Sequence, residues 1–420
     1  MRLRWWLPAL LCLGVAQRAE AHDPPVVTGL AEGPDGSLVL RTTRGLVVGA
    51  SGGGKFALQC LDYSQLLPAE TPSVAFRDAT LFVAGVEGLA TMRADGCGVV
   101  RPEQFAGVPM TDVHRRTDRS LTLLTTGAGM VNDAWSSSDG ALWTPRGFAL
   151  VQTLYSALRP FGARELATGV RVDAALGRPV HFVREIAGSQ VISELEVDVG
   201  QDGYRVHLLD VRDGERPEAL VLVDRYRESV SPDLLLRYRE GVTAELLAAS
   251  EVVDAKYAPD GSVYAASATG LIRIAADGST SVVGDGRRAT MVGVAGGRVF
   301  TATEYYVDGC ALCRVTGDTL EPLLRFGEIA GPTVCGDAPG ICDTDWADWR
   351  REIAPTDAAD ATTPSGSGSG DPEVVSTMPG YGCSASGAGA AALLPALSVM
   401  LVARKRRSRR WLAFAGRRDD

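Results

Sequence analysis

The sequence predicts an all-β protein and, within that class, a β-propeller. Glycine is abundant, at 48 of 420 residues, and short Val, Leu and Ala runs alternate with turn residues, as strands joined by tight turns require. One turn–strand–turn–strand unit recurs along the chain, with most copies 36 to 43 residues apart, the length of a four-stranded propeller blade. A two-layer sandwich would bury the same strands but leaves that period without a cause.

The unit is clearest in "PDGSLVLRTTRGLVV" from Pro34 and "PDGSVYAASATGLIR" from Pro259, which align without a gap so that Asp35 to Gly45 matches Asp260 to Gly270. "DATLFVAGVEGLATM" from Asp78 follows suit with Gly88, and "DRSLTLLTTGAGMV" from Asp118 reaches Gly129 with one residue inserted. Asp-Gly or Asp-x supplies a tight turn, the run after it reads as a buried strand, and the later glycine tolerates the positive φ of a hairpin. Weaker marks at Gly177, Pro217 and Gly296 complete a series at 35, 78, 118, 177, 217, 260 and 296. Seven marks predict seven blades, and the three weak ones leave six or eight open.

"SSDGALW", Ser137 to Trp143, resembles a one-residue-short Asp-box, the turn of sialidase-like and BNR propellers. The resemblance implies structural work: Asp139 caps the turn and Trp143 packs between strands. The Asp-Gly-Ser copies likewise resemble the repeats of sensor and ligand-binding propellers. A sialidase activity would demand an arginine triad and a Tyr/Glu nucleophile pair in the central channel. Glu304-Tyr305-Tyr306 is the one suggestive cluster, explained equally by strand aromatics beside an exposed carboxylate, and no arginine can be assigned to a triad.

The two ends read as addresses rather than as fold. Arg2 and Arg4 precede an apolar run from Trp5 to Ala16, and Ala19-Glu20-Ala21 has the small-x-small pattern of a signal-peptidase site. Residues 1–21 are therefore expected to be a signal peptide, with cleavage between Ala21 and His22. Leu10 and Leu11 before Cys12 do not suit a lipobox. At the other end, residues 384–403 are uncharged, and at ~1.5 Å per residue about 20 residues cross a ~30 Å hydrocarbon core. Arg404, Lys405, Arg406, Arg407, Arg409 and Arg410 follow and belong on the cytoplasmic side. This predicts one C-terminal transmembrane helix with the bulk of the protein outside the cytoplasm.

Gly382-Cys383, behind a Ser/Gly/Pro/Thr linker and ahead of an Ala/Leu-rich span and an arginine cluster, resembles the MYXO-CTERM sorting signal of myxobacteria and their relatives. The resemblance implies recognition by a sorting protease near Gly382 and Cys383, then display at the cell surface. "WLAFAGRRDD" continues beyond the arginines, where family members usually stop. Residues 382–410 are assigned to this signal and 355–381 to a flexible linker, whose Ser, Gly, Thr and Pro cannot bury enough surface to fold.

The body, residues 22–354, is the propeller domain. Without the signal peptide and everything from Arg404 on, 31 Lys+Arg face 48 Asp+Glu, a net charge near −17 that makes nucleic acid and anionic lipid poor partners. Leaving out Cys12 and Cys383, six cysteines remain: Cys60, Cys97, Cys310, Cys313, Cys335 and Cys342. An even number in an exported chain reads as disulfides. Proximity favours Cys60 with Cys97, Cys310 with Cys313, and Cys335 with Cys342. Cys310-Ala-Leu-Cys313 lacks the histidines of a zinc site and the strand-to-helix context of a redox motif.

No cofactor or metal is expected. His181, in "PVHFV", reads as a packed or half-exposed strand residue rather than a ligand. His22, if N-terminal, would need a second placed histidine for a copper brace. The acidic segment Cys342 to Trp349 lacks calcium-loop spacing. The functional expectation is a non-enzymatic, surface-displayed binding or interaction scaffold for an unknown protein or glycan, with a glycan-acting hydrolase as the alternative. Processing is directly measurable: intact-mass and terminal-peptide mass spectrometry of the surface protein should find an N-terminus at His22 and no residues 404–420, and a mature chain that retains Arg404 to Asp420 contradicts the sorting assignment.

Overall fold

The computed structural model describes residues 25–350, apart from 50–54, 60–71, 128–130, 148–152, 174–177, 198, 200–202, 214, 226–232, 240–241, 250, 305–308, 334, 336–345 and 347–348. The described strands form seven blades in chain order. Blade one holds Val27–Glu32, Leu38–Thr42, Gly45–Gly49 and Phe56–Gln59 (β1–β4). Blade two holds Ser73–Arg77, Thr80–Gly85 and Gly88–Arg93 (β5–β7), with a single bridge from Thr91 to Val100 where a fourth strand would lie. Blade three holds Met110–Arg115, Leu121–Gly127, Val131–Ser137 and Thr144–Pro145 (β8–β11), and blade four Thr153–Phe161, Arg164–Val172, Pro179–Ala187 and Gln190–Val197 (β12–β15). Blade five holds Gly203–Arg212, Glu218–Arg225, Leu234–Arg239 and Val242–Ala249 (β16–β19), and blade six Val252–Tyr257, Val263–Ser267, Gly270–Ile274 and Thr280–Val283 (β20–β23). Blade seven is Ala289–Ala295, Arg298–Thr303, Cys310–Thr316 and Thr319–Arg325 (β24–β27), and Ala330–Pro332 (β28) follows it.

The repeating unit is the turn into the second strand and the hairpin after it. The carboxylates of Asp35, Asp118 and Asp260 accept the backbone N–H groups of Ser37, Ser120 and Ser262 at 3.1, 2.9 and 3.0 Å, a local closure open to short acidic side chains. The next hairpin starts at Gly45, Gly88 and Gly270, with φ of 133°, 122° and 121°; a Cβ on Gly88 would stand 2.2 Å from the Phe105 carbonyl oxygen. One sequence mark was misplaced. Gly177 falls between β13 and β14, whereas the first turn of blade four lies between Phe161 and Arg164. Blade four has strands of eight and nine residues, so a second hairpin in it resembled a first.

The first strands of successive blades lie against one another around the ring, including β24 against β1. Six of them carry a β-bulge near their start, at Thr28, Thr111, Ser156, Tyr204, Val253 and Thr290. A bulge turns two neighbouring residues out of the ladder, and in blades three, four, six and seven one or both of them reach the next blade. Thr111, Ser156 and Thr290 donate through Oγ to the carbonyls of Tyr155, Val206 and Val27 at 3.2, 3.3 and 2.8 Å. The residue after the bulge accepts instead: Asp112 takes the Leu158 N–H at 3.4 Å and Asp254 the Val292 N–H at 2.9 Å. Asp210, beside a second bulge in β16, takes the Tyr257 N–H at 2.9 Å. In blade two, without a bulge, the Ser73 hydroxyl fills this role toward Val113 N–H at 3.1 Å.

Outside this polar ring, each of the seven seams between blades holds its own buried apolar cluster. The Asp-box serves one of them. Asp139 accepts the N–H groups of Ala141 and Leu142, both at 2.8 Å, and Trp143 packs edge-on against Phe105 and Phe82 of blade two. The tryptophan thus joins two blades.

Neither blade one nor blade seven borrows one of its four main strands from the other end of the chain, and among the described strands the exchange is limited to a fifth, β28, on blade one. The chain leaving blade seven instead straps back. β28 adds in parallel to the outer edge of β4, Thr333 N–H donates to the Leu58 carbonyl at 2.8 Å, and Trp349, 1% exposed, joins the cluster between blades seven and one. Cys335 then bonds to Cys97 of blade two, 238 residues earlier. This corrects the pairings by proximity: Cys97 does not pair with Cys60, nor Cys335 with Cys342, because the closed ring brings distant segments together. Cys310 and Cys313 do pair. Cys60 and Cys342, the signal peptide, the 355–381 linker and the 382–410 signal with its 384–403 span lie outside the described residues. Among those described, no helix is long and apolar enough to cross a membrane.

A strap closing so long a loop should matter to stability. Replacing both Cys97 and Cys335 by Ser removes a constraint worth about 2–5 kcal/mol, so thermal unfolding should move down by several degrees, whereas the same change at Cys310 and Cys313, which close a three-residue separation, should lower it much less.

Candidate functional site at the propeller axis

Counting three residues on from each bulge defines one level of the inner strands. It holds Ala31, His114, Arg159, His207, Lys256 and Gly293, with Ala75 of blade two in the matching place. Side chains able to carry positive charge thus occupy blades three to six, and small residues occupy blades seven, one and two. His207 turns within its own blade to Asp224, at 3.6 Å.

The others converge. His114 feels the charges of Arg159, Asp112, Lys256 and Arg116, drawn from three blades. Arg41, from β2, feels Asp254, Asp112 and Arg159, also from three blades. Groups that belong to blades on opposite sides of a ring meet in this way only around its axis. Arg41 gets there because residue 29 has no side chain: a Cβ on Gly29 would stand 2.1 Å from the Arg41 Nη2 atom.

Three described carboxylates near the axis, Asp112, Asp254 and Asp210, have structural work. Asp112 is 4% exposed and ion-paired to Arg159, whose Nη2 lies 3.1 Å from Oδ1, and it also accepts the Ser73 hydroxyl at 2.8 Å. Burial pushes its carboxyl up, but the Arg159 charge and hydrogen bonds more than offset this and hold it below the ordinary carboxylate range. Asp254 accepts the N–H groups of Ala255 and Val292, both at 2.9 Å, and burial keeps its carboxyl above the ordinary range despite Lys256 and Arg41. Asp210 takes the Tyr257 N–H and stands 3.8 Å from the Lys256 ammonium, which also donates to the Leu209 carbonyl.

Two axis groups are different. Arg41 donates to the carbonyls of Thr28 and Pro72 at 3.2 and 3.4 Å, and among the described residues no carboxylate lies within ion-pair distance of it. Burial draws its guanidinium below the ordinary value. The His114 ring makes no hydrogen bond among the described residues, and burial, helped by Arg159, holds its pKa down to about 3, so it is neutral near pH 7.

Further ion pairs bind blade four to its neighbours away from the axis. Glu165, 4% exposed, takes Arg116 and Arg146 of blade three. Glu185, 1% exposed, takes Arg164 and, at 2.9 Å, the Tyr238 hydroxyl of blade five. This Tyr–Glu contact lies on β14 and β18, not on the inner strands.

The residues singled out by sequence distribute differently. Glu304 pairs with Arg288 at 3.0 Å, and Tyr305 and Tyr306 lie outside the described residues, as do Ala21, His22, Gly382, Cys383, Arg404, Lys405, Arg406 and Arg407. His181 is buried in β14, where burial lowers its pKa. Cys310 and Cys313 are buried in β26. Among the described residues no group of three or more His, Cys, Asp or Glu side chains is placed to hold a metal ion. Arg41, Asp112, His114, Arg159 and Lys256 were missed because they form no local motif. Aligning the first strands, rather than the hairpins after them, would have exposed charges in otherwise apolar runs.

No protein-family model matches the chain, and no curated protein matches it. Among solved structures, the chain is similar to Kuenenia stuttgartiensis hydrazine synthase, at 10% identity and a TM-score of 0.48, over 70% of this chain and 97% of that one. It is also similar to a streptogramin B lyase, at 8% identity and a TM-score of 0.43, over 66% and 90% of the two chains. The Neurospora crassa Pan2 WD40 domain matches at 10% identity and a TM-score of 0.45, over 69% and 89%. Likenesses at this level assign no chemistry to this chain.

His114 gives the axis a signature in stability. Its folded pKa of about 3 lies below its ordinary 6.5, so the unfolded chain takes up a proton that the folded ring refuses. The full contribution is present above pH ~6.5 and is lost as pH falls toward ~3; Asp112, also lowered, adds a loss of the same sign at lower pH. Denaturant unfolding at pH 6.5 and 4.5 should show a loss of about 2 kcal/mol from the histidine alone, and His114→Gln should remove that part of the slope.

Proposed function

We propose that this chain is an exported, surface-displayed β-propeller that binds a ligand or partner at its axis without chemical turnover. The observation that carries the reading is the commitment of the axis carboxylates: Asp112 to Arg159, Asp254 to two backbone N–H groups and Asp210 to Tyr257 N–H and Lys256. Acid–base or nucleophilic catalysis needs such a group free to exchange a proton or attack. The sialidase-like alternative needs three arginines and a Tyr/Glu pair together, whereas the described axis groups include Arg41 and Arg159, and Tyr238 meets Glu185 between blades.

The export and display side rests on the Ala21/His22 site and on the Gly382-Cys383 signal with its basic cluster. Signal peptidase and a sorting protease are the partners it implies. To test the binding side, the purified mature protein is offered fluorogenic sialosides and other glycosides, and separately used to capture surface glycans and proteins. Capture should occur without product release and should weaken for Arg159→Gln. Release of a free sugar that disappears in an Asp112→Asn variant would overturn the reading in favour of a hydrolase.

A further inference from the structure

We infer that the axis holds an oxyanion, the carboxylate or phosphate group of a ligand, on the Arg41 guanidinium, with His114 and Lys256 as further groups of the same axis. The inference rests on the binding reading above and names the chemistry that this site would recognise.

The argument is one of partners. A guanidinium carries five N–H donors in a planar fork suited to carboxylate or phosphate. The contacts of Arg41 go to two carbonyls, Thr28 and Pro72, and carbonyls place the fork without neutralising it. Its nearest acidic influences are Asp254 and Asp112, both occupied: Asp112 by Arg159 and Ser73, Asp254 by Ala255 and Val292. A cation set among blades with no ion-pair partner is costly, and an incoming anion relieves that cost.

The surroundings favour the same ligand. Lys256 donates to the Leu209 carbonyl and has no carboxylate closer than the 3.8 Å approach of Asp210, and the unbonded His114 ring can offer a neutral N–H donor. At the matching level blades one, two and seven contribute Ala31, Ala75 and Gly293, which add no charge of their own. Because the propeller is strongly acidic, a local cationic centre would select a small anionic group over a large anionic surface.

The test uses the purified mature protein and two probes, inorganic phosphate and malonate, each against sodium chloride at equal ionic strength. The expected result is a saturable rise in the unfolding temperature of a few degrees at millimolar probe, larger for whichever anion class fits, and lost in Arg41→Gln. Arg41→Lys, which keeps the charge but not the fork, should weaken binding at least tenfold. If Arg41→Gln fails to fold, Lys256→Gln replaces it and should reduce the phosphate or malonate response several-fold. A rise that does not saturate, or one matched by chloride, is general salt stabilisation and overturns the inference, as does full retention in the variants. Capture of a neutral glycan with no response to either probe would overturn the oxyanion inference while leaving the binding reading intact, and product release from a glycoside would instead remove the binding reading.

Discussion

The fold depends on tying each inner strand to the next. A propeller whose last blade borrows one of its four strands from the other end of the chain is locked by a full hydrogen-bond ladder; here β1–β4 and β24–β27 each come from one end, and among the described strands the ladder across the closure is the short parallel pairing of β28 with β4. Its inner strands present backbone groups that the blade's own ladder cannot reach, and an unpaired buried backbone group is costly. The bulges answer this. They aim Thr111, Asp112, Ser156, Asp254 and Thr290 at the free N–H and C=O groups of the following blade. The contact between β24 and β1, through Thr290 and Val27, is of the same kind as those elsewhere in the ring. What differs at that seam is the outer strap of β28, Trp349 and the Cys97–Cys335 disulfide.

The same constraint shapes the site. Clasping with aspartates places negative charge on the inner ring, and the buried carboxylates need compensation. Arg159 supplies it directly for Asp112, and Lys256 more loosely for Asp210. In blade seven the place that would hold a cation is Gly293, and Asp254 is served by backbone N–H groups. Arg41 then enters from the second strand of blade one over Gly29, close enough to influence Asp254 but not to pair with it. The centre is thus a by-product of how the ring is closed, with one cation left over.

Much of the architecture was legible in the sequence because the blade hairpin is local. Asp35, Asp118 and Asp260 with their serines, and Gly45, Gly88 and Gly270, fix turns within a dozen residues, so periodicity revealed them and predicted seven blades. Trp143 read correctly as a packing residue, since its Asp-box is also local. The errors lie where long-range closure decides. Cys97 meets Cys335 only once the ring is shut, so proximity gave the wrong partners, and the long strands of blade four shifted one mark by a hairpin. The axis residues were illegible for the same reason: Arg41, Asp112, Arg159 and Lys256 come from four separate strands and form no local motif, made neighbours by the closure itself.

The most direct measurement is amide hydrogen exchange at the clasped backbone groups, the N–H groups of Leu158, Tyr257 and Val292. If the inner-strand clasps hold the ring together, these amides exchange only through global unfolding, more slowly than those of the outer strands β15 and β19, and Asp254→Asn speeds exchange at Val292 far more than at Leu158. Exchange at these sites as fast as in the outer strands, with the fold intact, would contradict the account.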